Sequence, residues 1–112
     1  MSFAKETENI VNQLIQAEYE NACEQFGDKY HSLHEGYAIL LEEVEEAEKE
    51  ITFLKRWLEN IWESIKSENK LYQYECTEQL EICNTNAIKE LAQVGAVLMK
   101  IKNTLEVKEN DK

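Results

Sequence analysis

Two short runs carry the side chains best suited to chemistry. In "EEVEE", residues 42–46, Glu43 and Glu46 stand three apart, and in "KELAQ", residues 89–93, Glu90 and Gln93 do the same. On a helix such a spacing places both members of a pair within one turn. Each of the four immediately precedes an apolar residue (Val44, Ala47, Leu91 and Val94), so each pair projects to one flank of its own apolar seam. If the two helices pack through those seams, the pairs converge on one space. Mg²⁺ suits that arrangement, because it takes six oxygens and accepts a few carboxylates completed by waters and phosphate oxygens. Without a cation, clustered carboxylates repel one another. The competing reading is a wet helix face. Five of the seven residues from Glu42 to Glu48 are glutamates, and Glu42, Glu45 and Glu48 face other ways and belong to solvent.

The elements that must position these residues are helices. The chain has 112 residues, no proline, three glycines and 31% charged residues, a composition that disfavours a sheet and favours long helices. Residues 2–26 read as a first helix with two adjacent apolar stripes, Phe3, Ile10, Leu14 and Ala17 beside Val11, Ile15, Ala22 and Phe26. Gly27 and Asp28 suit its end. Ser32 and Glu35 form a capping-box pattern for a second helix. Its seven-residue rhythm runs through Tyr37, Leu40, Val44, Ala47, Ile51, Leu54, Leu58, Ile61 and Ile65. About 34 residues of helix span roughly 50 Å, which suggests a kink or a partner chain. "SENK" at 67–70 is the break that follows, and "LYQYEC" at 71–76 either starts the last helix or forms a short one of its own. The rhythm returns through Leu80, Cys83, Ala87, Leu91, Val94, Leu98, Ile101 and Leu105, while the tail from 107 to 112 has nothing to bury and is expected to fray. The fold class expected is all-α: a single domain, with its core over about 2–106, forming an antiparallel bundle of three to four helices, two of them long. A small core and long seams favour a dimer or tetramer.

A formal charge of −11 argues against direct nucleic-acid binding. It suits divalent cations or a basic protein target, including the target of a small acidic inhibitor. Cys23, Cys76 and Cys83 are an odd set with no secretory signal before them, so free thiols and a cytoplasmic location are expected. No apolar run approaches the length of a membrane span.

Both acidic blocks carry a family resemblance. "EEVEE" fits the motif E-E-x-x-E, and "HEGYAILLEEVEEAEKEI" (34–51) resembles the opening of MazG-like all-α nucleoside triphosphate pyrophosphohydrolases. "KELAQVGAVLMKI" (89–101) resembles the later E-x-x-D helix of that family. It is similar in particular to a divergent, often phage-encoded branch that has E-x-x-Q-V-A-A-M-A at this place. The resemblance covers roughly residues 19–105. It implies a helical, oligomeric enzyme that uses Mg²⁺ (or Mn²⁺) and splits a nucleotide between its α- and β-phosphates, here in a cytoplasm that a phage-encoded protein would share with its host. Carried onto this chain, Glu43, Glu46 and Glu90 are the catalytic, metal-holding acids, with Gln93 as a further metal ligand. Two departures bear on turnover. Gln93 stands where the usual member has aspartate, and an amide offers a carbonyl oxygen but neither charge nor a base. In addition, 43 residues separate Glu46 from Glu90, more than the common spacing. The alternative is therefore a protein that sequesters a nucleotide without hydrolysing it.

A nucleotide also needs compensating charge and a stacking surface. Lys55, Arg56 and Trp57, in the long insertion, are the residues assigned to nucleotide binding, and Lys100 is a further candidate for phosphate. Trp57, Trp62 and Phe53 equally suit a core or an oligomer interface. His31 and His34 suit surface or capping roles. Gly95 and Ala96, in mid-helix, predict close approach of a second backbone and so tight helix packing.

Overall fold

The computed structural model describes residues 2–107 and 109–111; the side chains of Ser2, Phe3 and Glu109 lie outside it, and with Phe3 one member of the first apolar stripe. Three α-helices account for most of the chain: α1 (Ser2–Phe26), α2 (Leu33–Lys66) and α3 (Lys70–Leu105). A 3₁₀ turn, Glu109–Asp111, follows, and no strand occurs among the described residues. The class is all-α with two long helices, and "LYQYEC" belongs to α3 without a break.

The helix ends follow local chemistry. α1 stops at Gly27, whose φ of 82° lies in the left-handed region and whose N–H donates to the Cys23 carbonyl at 2.8 Å. Ser32 caps α2, its hydroxyl accepting from the Glu35 N–H at 3.2 Å. At the other end Glu68 takes a φ of 55°. The Glu68 and Asn69 N–H groups then return to the carbonyls of Ile65 and Ser64, at 3.1 and 3.0 Å. That is the double bond pattern that closes a helix C-terminus, here with glutamate where glycine is usual. Asn69 at once caps α3 by accepting from the Tyr72 N–H at 3.1 Å.

The chain divides into two compact units, Met1–Val44 with Leu91–Lys112, and Glu45–Glu90. The first, unit 1, contains α1, the start of α2 and the end of α3. Close approaches hold it together. A Cβ placed on Gly95 would stand 2.9 Å from the Ile15 side chain, and one on Gly36 would stand 3.1 Å from Ile101 and from the Tyr30 ring. At Gly95 the close approach is made by the Ile15 side chain of α1 rather than by a second backbone. Ala92, Ala96 and Val97 are buried here.

Unit 2 is a helical hairpin made of the rest of α2 and α3. Ser64 and Cys76 are fully buried, with Ala47, Cys83 and Ala87 nearly so, and the Gln73 side chain donates to the Ser64 carbonyl at 3.2 Å. Small residues thus occupy the buried positions, as tight helix packing requires. Larger apolar side chains stay outside: Leu58 and Ile65 of the rhythm are exposed, as are Trp62, Leu71, Tyr74, Ile82 and Ile88 beside it. In unit 1, Ile10, Val11, Leu14, Tyr37, Leu98 and Leu105 are exposed too. The rhythm reports apolarity, whereas the contact inside one chain selects for size.

Candidate functional site

A cavity of about 620 Å³ lies within unit 1, walled by all three helices and by the connection between α1 and α2. Two of the four motif side chains line it. Glu43 comes from the first block and Gln93 from the second, and both are partly buried. Helix α1 adds Glu18, Asn21 and Gln25, and α2 adds Glu35. The α1–α2 connection contributes Lys29, Tyr30 and His31, and α3 closes the cavity with Lys100. Oxygen-rich and cationic groups therefore face one volume, within the usual range for a small-molecule site.

The connection is held in place by bonds to the last turns of α3. The Tyr30 N–H donates to Thr104 Oγ1 at 2.9 Å, and the Thr104 hydroxyl donates to the Lys100 carbonyl at 2.8 Å. Asn103 donates to the Asp28 carbonyl at 3.3 Å and also to the Tyr19 hydroxyl, which fastens α1 at the same place. Lys29 pairs with Glu106. That pairing lowers the Glu106 pKa and raises that of Lys29, chiefly through their hydrogen bond and then through charge.

Tyr30 is the most buried side chain of the connection, 8% exposed. Burial first, then the charges of Glu35 and Glu43, push its phenol above the ordinary tyrosine pKa. The Lys100 ammonium lies 4.4 Å from the centre of its ring, a cation–π contact.

The other expected site residues lie in unit 2 and are not among those lining this cavity. Glu46 is exposed and pairs with Lys49 at 3.7 Å, while Glu90 is partly buried. Lys55 is exposed, Arg56 stacks its guanidinium 5.7 Å from the Phe53 ring, and Trp57 is half-buried. His34 is exposed. The three cysteines are free thiols, Cys76 and Cys83 being buried.

Among the described residues, no three His, Cys, Asp or Glu side chains are grouped so as to hold a metal ion. The donors around the cavity are nonetheless hard oxygens, the kind Mg²⁺ takes, and Mg²⁺ is commonly held by one or two carboxylates together with substrate phosphates. Glu43 with the Gln93 carbonyl oxygen fits that limited role. Among the described residues no helix is long and apolar enough to cross a membrane.

Tyr30 and Glu18 were not legible as site residues from sequence. The available signal was an aromatic residue confined to a short connection between a glycine stop and a serine cap. Comparison with known protein families, with characterised proteins and with solved structures finds no match to this chain.

Proposed function

We propose that the unit 1 cavity binds a nucleotide, and that the chain is a MazG-like, Mg²⁺-dependent nucleotide pyrophosphohydrolase or a close relative that keeps the nucleotide site. One observation carries this reading: Glu43 and Gln93, from two blocks far apart in sequence, line the same cavity as the buried Lys100. A phosphate chain needs both kinds of group, a cation for its oxygens and carboxylates for its metal. Mg²⁺ or Mn²⁺, when bound, would neutralise phosphate charge and favour attack by water. Glu43 and Gln93 would hold the metal from the protein side. Glu46 and Glu90 are not among the residues lining the cavity, and a part for either is open to separate test.

Gln93 favours a second reading in the same cavity. It supplies no charge and no base where a hydrolase of this kind has aspartate, so a sequestering protein would keep binding and lose turnover. Titration calorimetry with Mg²⁺ or Mn²⁺ and a panel of nucleoside triphosphates, with pyrophosphate assayed in the same samples, separates the two. The enzyme reading expects metal-dependent binding with pyrophosphate released, both lost in Glu43→Gln. Binding without product selects the sequestering protein. Absence of nucleotide binding at any metal concentration overturns both.

Homo-oligomerisation belongs to the same proposal. Unit 2 has only two helices, and the exposure of Leu58, Trp62, Leu71 and Tyr74 is what a further helix pair from another copy would cover.

A further inference from the structure

Lys100 is only 6% exposed and is the one buried charged side chain among the described residues. A buried ammonium is costly unless the fold or a ligand compensates it. Its surroundings are arranged around that charge. The Tyr30 ring lies 4.4 Å away. Thr104 joins the Tyr30 backbone to the carbonyl of Lys100 itself through two hydrogen bonds. The backbones that carry the ring and the ammonium are thus tied together, and the cation–π contact joins the two side chains. Both line the cavity, and Lys29 and His31 flank Tyr30 on the same connection.

Resting on the nucleotide reading of this cavity, we propose that Lys100, braced by Tyr30, is the anchor for the phosphate groups of the ligand. Glu43 and Gln93 would hold the metal that accompanies those phosphates. Lys55 and Arg56 have no part in the site on this assignment. An ammonium already stripped of most of its water loses little further solvation when it meets an anion, so the contact is strong for one point charge. The ligand class that follows is a phosphate ester or polyphosphate carrying a divalent cation, rather than an uncharged nucleoside.

The test uses the intact chain and two probes with Mg²⁺, a non-hydrolysable nucleoside triphosphate analogue and inorganic tripolyphosphate. Lys100→Met keeps the stem and removes the charge, and it should weaken both probes roughly 10- to 100-fold. Lys100→Arg should recover part of that loss, and Lys55→Met should change neither affinity by more than about twofold. Should Lys100→Met fail to fold, the wild-type chain still decides the matter. With ¹³C-labelled lysine, the Lys100 ε-methylene resonance should shift on adding tripolyphosphate and Mg²⁺. Wild-type binding that Lys100→Met leaves within twofold, or a Lys100 resonance unmoved at saturation, overturns the anchor while the nucleotide reading stands. If the wild type binds neither probe, the nucleotide reading itself falls, and the anchor with it.

Discussion

Units 1 and 2 solve opposite problems with the same helices. In unit 1, three helical segments and their connection surround a cavity lined by Glu43, Gln93, Tyr30 and Lys100, and Thr104 and Asn103 bond the connection to the end of α3. In unit 2, two helical segments meet through Ser64, Cys76, Cys83 and Ala87, and the large apolar side chains point outward. The first arrangement leaves a polar-lined volume inside the unit. The second leaves apolar area that one chain cannot cover, since a two-helix hairpin has no third layer to close its core. The lesson is that one seven-residue rhythm can frame a polar cavity at one place and carry exposed apolar side chains at another. The third helix of unit 1 walls the cavity, yet Ile10, Val11 and Leu98 stay exposed there as Leu58 and Trp62 do in unit 2.

This contrast can be broken or sharpened by substitution. The largest effect is expected in unit 2, where Trp62→Ser combined with Leu71→Ser should weaken self-association by on the order of 2 kcal/mol or more. The stability of the isolated chain should stay within about 0.5 kcal/mol, because both residues are exposed. Sedimentation over a range of concentrations checks the first value and denaturant melts the second. An unchanged association constant would remove these residues from the interface.

Next comes the close approach in unit 1. Gly95→Val drives a branched side chain into Ile15 and should cost about 1–3 kcal/mol in a urea melt. If stability is unchanged, the α1–α3 contact is looser than described. Asn69→Ala in unit 2 removes the cap of α3 and should cost about 1 kcal/mol by the same measurement.

The smallest effect concerns pH. The folded-state pKa of Glu106 lies below its ordinary value, so its tie to Lys29 is fully present above the usual carboxylate range and fades as pH falls through the depressed value. For Lys29 the pKa is raised, so its contribution is present below the usual lysine range and is lost as pH rises through the raised value. Both side chains are exposed, so the effect is slight. Comparing acid melts of the wild type and Glu106→Gln isolates it, and identical curves would show that the tie has no effect on folding.

Much of the fold was legible in the sequence because helix ends are written in local chemistry. The glycine stop at Gly27, the Ser32 cap and the "SENK" break all lie where composition puts them, within a residue or two. The site was legible only in part. Glu43 and Gln93 could be paired by their position beside the seams, and Lys100 could be named as a phosphate candidate by charge alone. Tyr30 could not, because its role comes from a connection bonded to Thr104 and Asn103, more than seventy residues away. Nor could the sequence tell that Lys55, Arg56 and Trp57 would fall in a different unit from the cavity. The rhythm also concealed which apolar residues are buried. Cys83 and Ala87 are covered while Leu58 and Ile65 are not, since the space between two close helices admits small side chains first.

The most direct test of the central claim is amide chemical-shift mapping on the full chain as a nucleoside triphosphate and Mg²⁺ are added. The account predicts shifts gathered at residues 18–43 and 93–104, with Tyr30, Glu43, Gln93 and Lys100 among the largest. Shifts centred instead on Lys55, Arg56 and Trp57, or none at saturating nucleotide, would contradict it.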